Sequence, residues 1–141
     1  MAAFVIDASA TLPWCFADEA TAATNAVLTG VRTGDEAIVP AHWPLEVANA
    51  LLMAVRRKRI SPEDAHQFLV DLEFLPIRVD TTNKNLVRAG VFPLAEQYGL
   101  TVYDAAYLEL AMRERIPLVT LDKDLRKAAG ASGVPLVGPH P

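Results

Sequence analysis

Two apolar segments of this chain end directly in an aspartate. Residues 2–6 read AAFVI and precede Asp7, and residues 116–121 read IPLVTL and precede Asp122. Short apolar runs bounded by polar residues are typical of strands buried on both faces of a parallel sheet. Open parallel sheets bind ligands at the carboxyl ends of their strands. The two segments therefore predict an α/β sheet with both aspartates at one crevice.

The composition is that of a folded chain without a global basic charge. Of the 141 residues, 52% are hydrophobic, and the formal net charge is −4. This apolar content excludes a disordered chain and suffices for a sheet covered on both faces. We expect one domain over residues 1–141. The negative net charge disfavours non-specific binding of long nucleic acids over the whole surface, so any such binding would depend on local basic patches.

Cysteine usage and the N-terminus bear on the compartment. Cys15 is the single cysteine, which excludes an internal disulfide and favours a reducing compartment. The N-terminus lacks the basic flank of a signal peptide. No apolar run approaches the roughly 20 residues of a membrane-spanning helix. We expect a cytoplasmic protein with no membrane association.

Strand and helix patterns alternate along the chain. Further strands are predicted in EAIVP (36–40), IRVD (77–80) and VPLVG (134–138), with helical segments between them. Such alternation is typical of parallel strands joined by right-handed crossovers. We expect a three-layer α/β/α fold with a five-stranded parallel sheet.

Two further acids lie in otherwise apolar helical segments. Glu46 falls within WPLEVANALL, and Asp104 falls within LTVYDAAYL. A helix N-terminus stabilises a negative charge by about 0.3–1 kcal/mol, which accounts for them in part. It does not explain acids on the apolar side that should face the sheet. Taken singly, Asp104 and Asp122 also read as ordinary helix-start acids.

A cluster of these four acids would need a counter-charge. Two carboxylates about 4 Å apart repel by about 4 kcal/mol at an effective dielectric constant near 20. Such a cluster must take up protons or bind a hard divalent cation. An all-oxygen ligand set favours Mg²⁺ or Mn²⁺ over Zn²⁺. A cation there would lower the pKa of a bound water and neutralise charge on a phosphodiester.

Four motifs together resemble a known family. VIDAS, PLEVANAL, LTVYDAAYLELA and LVTLDKDLRKAA follow one another across nearly the whole chain. In this order they resemble the PIN domains, and among them the VapC-like ribonuclease toxins of bacterial toxin–antitoxin pairs. The resemblance implies a three-layer PIN-like fold whose five strands pair in the order 3-2-1-4-5. It also implies a metal-dependent endoribonuclease that uses Mg²⁺ or Mn²⁺, a homodimer, and a small VapB-like antitoxin that blocks the pocket.

The resemblance also implies roles for individual residues. The catalytic acids are Asp7, Glu46, Asp104 and Asp122. Asp7 and Asp104 would bind the metal, with Glu46 and Asp122 contributing directly or through water. The supporting residues are Ser9, Asn49, Thr120 and Asp124, of which Asp124 matches a position that is acidic in only some members.

Basic residues near the expected mouth of the pocket are candidates for binding RNA phosphates. They are Lys123, Arg126 and Lys127, and each also reads as a solvated residue of a helix. His42 precedes a Trp-Pro pair and reads as a loop or interface residue rather than a base.

Other functions remain open from the residues alone. One is a PIN-like RNA-binding or scaffold subunit without catalysis. Another is a phosphoryl-transfer domain of the receiver or phosphatase type on a similar sheet. A receiver needs adjacent acids after its first strand, and a haloacid-dehalogenase-type phosphatase needs a second aspartate two residues after the first. Here Ala8 and Ser9 follow Asp7.

Overall fold

A computed structural model describes residues 2–81 and 83–137 and contains a parallel β-sheet. Its strands are β1 (Ala3–Ile6), β2 (Glu36–Val39), β3 (Ile77–Val79) and β4 (Leu118–Val119). They pair in the order β3-β2-β1-β4, and each neighbouring pair is parallel. The three-layer α/β class and this part of the predicted strand order are confirmed.

The prediction of a fifth strand at residues 134–138 is wrong. Residues 134–137 lie beside β4, where Leu136 forms one isolated parallel bridge with Leu118. The Leu118 amide donates to the Pro135 carbonyl at 2.9 Å, and the Val137 amide donates to the Leu118 carbonyl at 3.1 Å. Pro135 has no N–H to donate, and β4 is only two residues long, so the pairing does not extend into a strand. Residue 138 lies outside the described residues.

Helices occupy most of the remaining described chain. They are α1 (Ala8–Thr11), α2 (Ala22–Arg32), α3 (Trp43–Arg56), α4 (Pro62–Glu73), α5 (Lys84–Leu86), α6 (Phe92–Tyr98), α7 (Val102–Glu114) and α8 (Lys123–Ser132). A 3₁₀ turn (Leu12–Trp14) follows α1, and a π-helical turn (Val87–Val91) joins α5 to α6. Within the described ranges, no helix is both long and apolar enough to span a membrane.

Helix α7 passes through the protein interior and orders the site. Its buried residues include Leu108 and Ala111, which join the core around β1. It also buries Glu109, whose carboxylate oxygens each accept from Arg113 Nε at 3.0 Å. Arg113 Nη2 donates onward to Asp80, directly after β3, at 2.7 Å. A buried acid with this pairing avoids the cost of an uncompensated charge and fixes α7 against the sheet.

The π-helical turn packs closely on the same helix. A Cβ atom at Gly90 would lie 3.3 Å from Glu109 Cγ and 3.3 Å from Leu86 Cδ1. This distance is tight for real side chains, so a glycine is favoured where the turn meets the buried Glu109. The contact helps to set the position of α7, which carries Asp104 near its N-terminus.

Helix α3 offers a matched test of the core. Leu51 is 1% exposed and Leu45 is 75% exposed, although both lie on this helix. We expect Leu51→Ala to lower the free energy of unfolding by about 2–5 kcal/mol, because it removes buried contacts and leaves a cavity. Leu45→Ala should change it by no more than about 0.5 kcal/mol. Urea denaturation measures both, and equal losses would contradict the described packing.

Candidate active site

Asp7 is a buried carboxylate at the carboxyl end of β1. It is 4% exposed and accepts three hydrogen bonds. Oδ1 accepts from Ser9 Oγ at 2.7 Å and from the Ala10 amide at 3.0 Å, while Oδ2 accepts from Thr120 Oγ1 at 2.5 Å. Asp7 is thereby the N-cap of α1 and a link between β1 and the segment after β4.

Hydroxyl groups hold the end of β4 against β1. Thr120 is 1% exposed, and its Oγ1 accepts from the Asp122 amide at 3.0 Å. Ser9 Oγ accepts from the Leu121 amide at 2.9 Å. The two predicted supporting residues Ser9 and Thr120 therefore contact Asp7 and orient the chain that leads into Asp122.

The environment of Asp7 disfavours its charge. Burial raises the pKa of Asp7 from 3.8 to about 6, although hydrogen bonds from Thr120, Ser9 and the Ala10 amide act in the opposite direction. The negative charge of Asp104 raises this pKa further. Asp104 and Asp7 are thus electrostatically coupled across the carboxyl edge of the sheet.

Asp104 lies in the first turn of α7 and is half-buried. Thr101 caps this helix, since its Oγ1 accepts from the Asp104 amide at 3.1 Å. Burial raises the pKa of the Asp104 carboxyl, and the charges of Asp122 and Glu46 raise it further. Asp104 therefore interacts electrostatically with each of the other three acids.

Glu46, in the first turn of α3, is held by two aromatic side chains. Tyr107 donates its hydroxyl to Glu46 Oε1 at 2.5 Å, and His42 Nε2 lies 3.1 Å from the same oxygen. That His42 nitrogen is buried and makes no regular hydrogen bond within the described part of the chain, so we treat its approach as an electrostatic contact. Burial alone would raise the pKa of Glu46, but His42 and Tyr107 together lower it.

Asp122 caps α8, where its Oδ2 accepts from the Leu125 amide at 2.9 Å. It thus has the ordinary capping role that its sequence position allows, while its charge also acts on Asp104. Asp124 is exposed in the first turn of α8, and Asn49 is exposed on α3. Neither is joined by a hydrogen bond to the four acids among the described residues.

The acids share one region without forming a closed ligand cage. Among residues 2–81 and 83–137, no three His, Cys, Asp or Glu side chains lie close enough together to hold a metal ion. The charges nevertheless influence one another, as the pKa values of Asp7 and Asp104 show. What the fold brings together is a set of coupled carboxylates at one sheet edge.

The predicted phosphate-binding residues all lie on α8. Lys123 and Lys127 are exposed, whereas Arg126 is half-buried and donates from Nη1 to the Thr120 carbonyl at 2.9 Å. Arg126 therefore holds the backbone beside Asp122 as well as bringing positive charge to this side of the site. A role for these three side chains in binding RNA stays a prediction.

Sequence reasoning missed Tyr107 and assigned no site role to His42. Tyr107 follows Asp104 by three residues, so the two share one face of α7. A buried tyrosine at helical spacing reads as core packing, and its partner Glu46 is distant in sequence. The signals available were the three-residue spacing of Asp104 and Tyr107 and the four-residue spacing of His42 and Glu46.

The chain belongs to the PIN domain family, whose profile matches residues 4–131. Among curated proteins it is similar to ribonuclease VapC12 of Mycobacterium tuberculosis, with 32% identity over 126 residues that cover 89% of this chain and 92% of the relative. The family predicted from the four sequence motifs is thereby confirmed.

Solved structures share the fold. The crystal structure of PAE2754 from Pyrobaculum aerophilum has a TM-score of 0.70 and 23% identity, with 90% of this chain and 79% of that chain covered. A toxin–antitoxin complex from Klebsiella pneumoniae includes a chain with a TM-score of 0.63 and 17% identity, with 95% of both chains covered. At these identities the likeness establishes the fold alone.

The raised pKa of Asp7 predicts how stability depends on pH. The carboxyl titrates near 3.8 in an unfolded chain and at about 6 in the folded protein. Between these values the folded state binds more protons, so the free energy of unfolding falls as pH rises. The loss from Asp7 is complete above its folded pKa and amounts to about 3 kcal/mol at most.

Urea denaturation with a chelator present, between about pH 4 and 7, measures this effect. Asp7→Asn serves as the reference because it cannot titrate. The natural protein should lose stability relative to this variant as pH rises. A constant difference between the two proteins over the whole range would contradict the raised pKa.

Proposed function

We propose that this protein is a metal-dependent endoribonuclease that cleaves RNA phosphodiesters and acts as the toxin of a VapBC-like toxin–antitoxin pair. The observation that carries the proposal is the coupled group of four acids at the carboxyl edge of the sheet. Asp7 is buried with a raised pKa, and Asp104 is under the influence of both Asp122 and Glu46. Membership of the PIN domain family and similarity to a curated VapC ribonuclease support the same reaction.

The chemistry of the four acids suits a hard divalent cation that keeps several of its waters, because Mg²⁺ is commonly held by only one or two carboxylates. Within the described residues, no three acids lie close enough to hold an ion by themselves. All four acids offer carboxylate oxygens, and oxygen-only sites favour Mg²⁺ or Mn²⁺. Mutual repulsion and burial make the charged forms of Asp7 and Asp104 costly, so a cation that neutralises them would be bound favourably. Asp7 and Asp104 would hold the ion, with Glu46 and Asp122 acting directly or through water.

The cation, when bound, supplies a more acidic water and neutralises charge on the phosphodiester. The chain's own residues prepare the site for it. Thr120 and Ser9 orient the Asp7 carboxylate, and Tyr107 and His42 hold Glu46. Arg126, Lys123 and Lys127 would contact flanking phosphates without reading bases, because phosphate contacts carry no sequence information themselves.

The proposal includes partners. A small antitoxin would neutralise the acidic pocket, and the likeness in fold to a chain of a toxin–antitoxin complex is consistent with such a partner. We further propose a homodimer in the cytoplasm, which the resemblance to VapC-like toxins implies. Exposed apolar side chains on the α3–α4 hairpin and just after it, Leu45, Leu52, Val70 and Phe74, are available for such contacts.

Removal of one charge from the site tests the chemistry. Purified protein should cleave structured RNA with Mn²⁺ or Mg²⁺, and a chelator should stop cleavage. Asp104→Asn should reduce the rate by at least about 100-fold while the protein stays folded, because it removes a ligand of a cation that supplies several kcal/mol of charge stabilisation, with little change in volume. Asp71→Asn is the matched control, since Asp71 is an exposed acid of α4. Cleavage that persists in excess chelator would refute the metal mechanism.

Growth of a bacterial host tests the toxin assignment separately. Expression of the natural chain in a host without the cognate antitoxin should arrest growth, and Asp104→Asn should abolish the arrest. Co-expression of a small protein encoded beside this gene should restore growth and co-purify with the chain. A host that grows normally with soluble, RNA-cleaving protein would refute the toxin role and leave the nuclease activity standing.

A further inference from the structure

Tyr107 and His42 both contact the carboxylate of Glu46. We propose that Tyr107 is a positioning residue for the acidic site, and that with His42 it holds the Glu46 carboxylate in place for cation binding. This inference rests on the proposed function, since it assigns a second layer of residues to the same site. Side chains that orient metal ligands are a general requirement of such sites, and their loss commonly costs 10- to 100-fold in metal affinity or activity.

Tyr107 lies on α7 and contacts Glu46 on α3. Its ring is 1% exposed within α7, yet its hydroxyl reaches Glu46 on α3 at 2.5 Å. Asp104 lies three residues earlier on the same helix. One rigid element therefore carries an acid of the site and the hydroxyl that holds another acid, so the relative position of Asp104 and Glu46 depends on this contact.

Both contacts to Glu46 are made to one carboxylate oxygen. Tyr107 and His42 each approach Glu46 Oε1. Within the described part of the chain, no hydrogen bond is made to Oε2. A carboxylate held by one oxygen has its rotation restricted while the other oxygen stays available as a ligand. This is the arrangement expected of an oriented ligand rather than of a solvated surface acid.

The rings of the two residues that contact Glu46 also pack against each other. The rings of His42 and Tyr107 pack edge to face, with centroids 5.1 Å apart and planes at 67°. The Tyr103 ring also lies near the His42 ring, with centroids 5.6 Å apart and planes at 54°. The contact atoms are thus fixed by packing. Burial, and then the hydrogen bond to Glu46, raise the pKa of the Tyr107 hydroxyl.

A double-mutant cycle on Mn²⁺ binding tests the proposal. Calorimetric titration of the full chain with Mn²⁺ would compare the natural protein, Tyr107→Phe, Glu46→Gln and the double variant. We expect Tyr107→Phe to weaken binding about 10-fold or more, and to have no further effect once Glu46 is Gln. Its RNA cleavage should return toward the natural rate at saturating Mn²⁺, which loss of structure would not allow.

Tyr103→Phe is the matched control. It removes a tyrosine hydroxyl one turn earlier on α7 and keeps the ring that packs near His42. The Tyr103 hydroxyl itself makes no hydrogen bond to a described residue. Mn²⁺ affinity should be unchanged in this variant. If Tyr107→Phe does not fold, His42→Phe is tested in its place. This variant keeps an aromatic ring but removes the nitrogen near Glu46 Oε1. It is judged by the same weakened Mn²⁺ binding and the same absence of effect with Glu46→Gln.

The outcomes separate this inference from the function on which it rests. Weakened Mn²⁺ binding that vanishes in the Glu46→Gln background supports the positioning role. Unchanged binding in a folded Tyr107→Phe, or a loss that is fully additive with Glu46→Gln, overturns it. If Glu46→Gln itself affects neither Mn²⁺ binding nor cleavage, the failure lies in the proposed acidic site.

Discussion

The burial of the Asp7 carboxylate is the constraint on which the rest of the site depends. A buried acid at a strand end is costly unless it is hydrogen-bonded or neutralised. The chain meets part of this cost with Ser9, Thr120 and the first turn of α1. Because Thr120 follows β4, these bonds also set how β4 and the Asp122 loop lie against β1. The remaining cost appears as a pKa raised to about 6.

Helix α7 carries Asp104 and, through Tyr107, holds Glu46. Its N-terminal turn carries Asp104, whose charge acts on Asp7, and its next turn carries Tyr107, which holds Glu46. Its C-terminal half is fixed by the Glu109–Arg113–Asp80 network. A helix held at both ends by polar contacts positions two acids from one rigid element. The site is therefore organised by packing as much as by its charged residues.

The sequence allowed the sheet and its acids to be predicted because they follow local rules. Apolar runs ending in Asp7 and Asp122 indicate strand ends, and the alternation of strand and helix patterns indicates a parallel sheet, as observed. Pro135 argues against a fifth strand at residues 134–138 because it has no N–H to donate, although the apolar residues around it favour one. The role of Tyr107 could not be predicted from the sequence, because its contact with Glu46 joins residues 61 positions apart. Such a pairing depends on how helices pack, which helical periodicity alone does not specify.

The central claim is that the four acids form a cation site, and direct localisation of a bound Mn²⁺ tests it. Crystals of the protein soaked in Mn²⁺ should give an anomalous difference peak in contact with the carboxylates of Asp7 and Asp104. The peak should be absent in crystals of Asp104→Asn soaked in the same way. A well-ordered site without a peak, or a peak confined to other residues, would contradict the account.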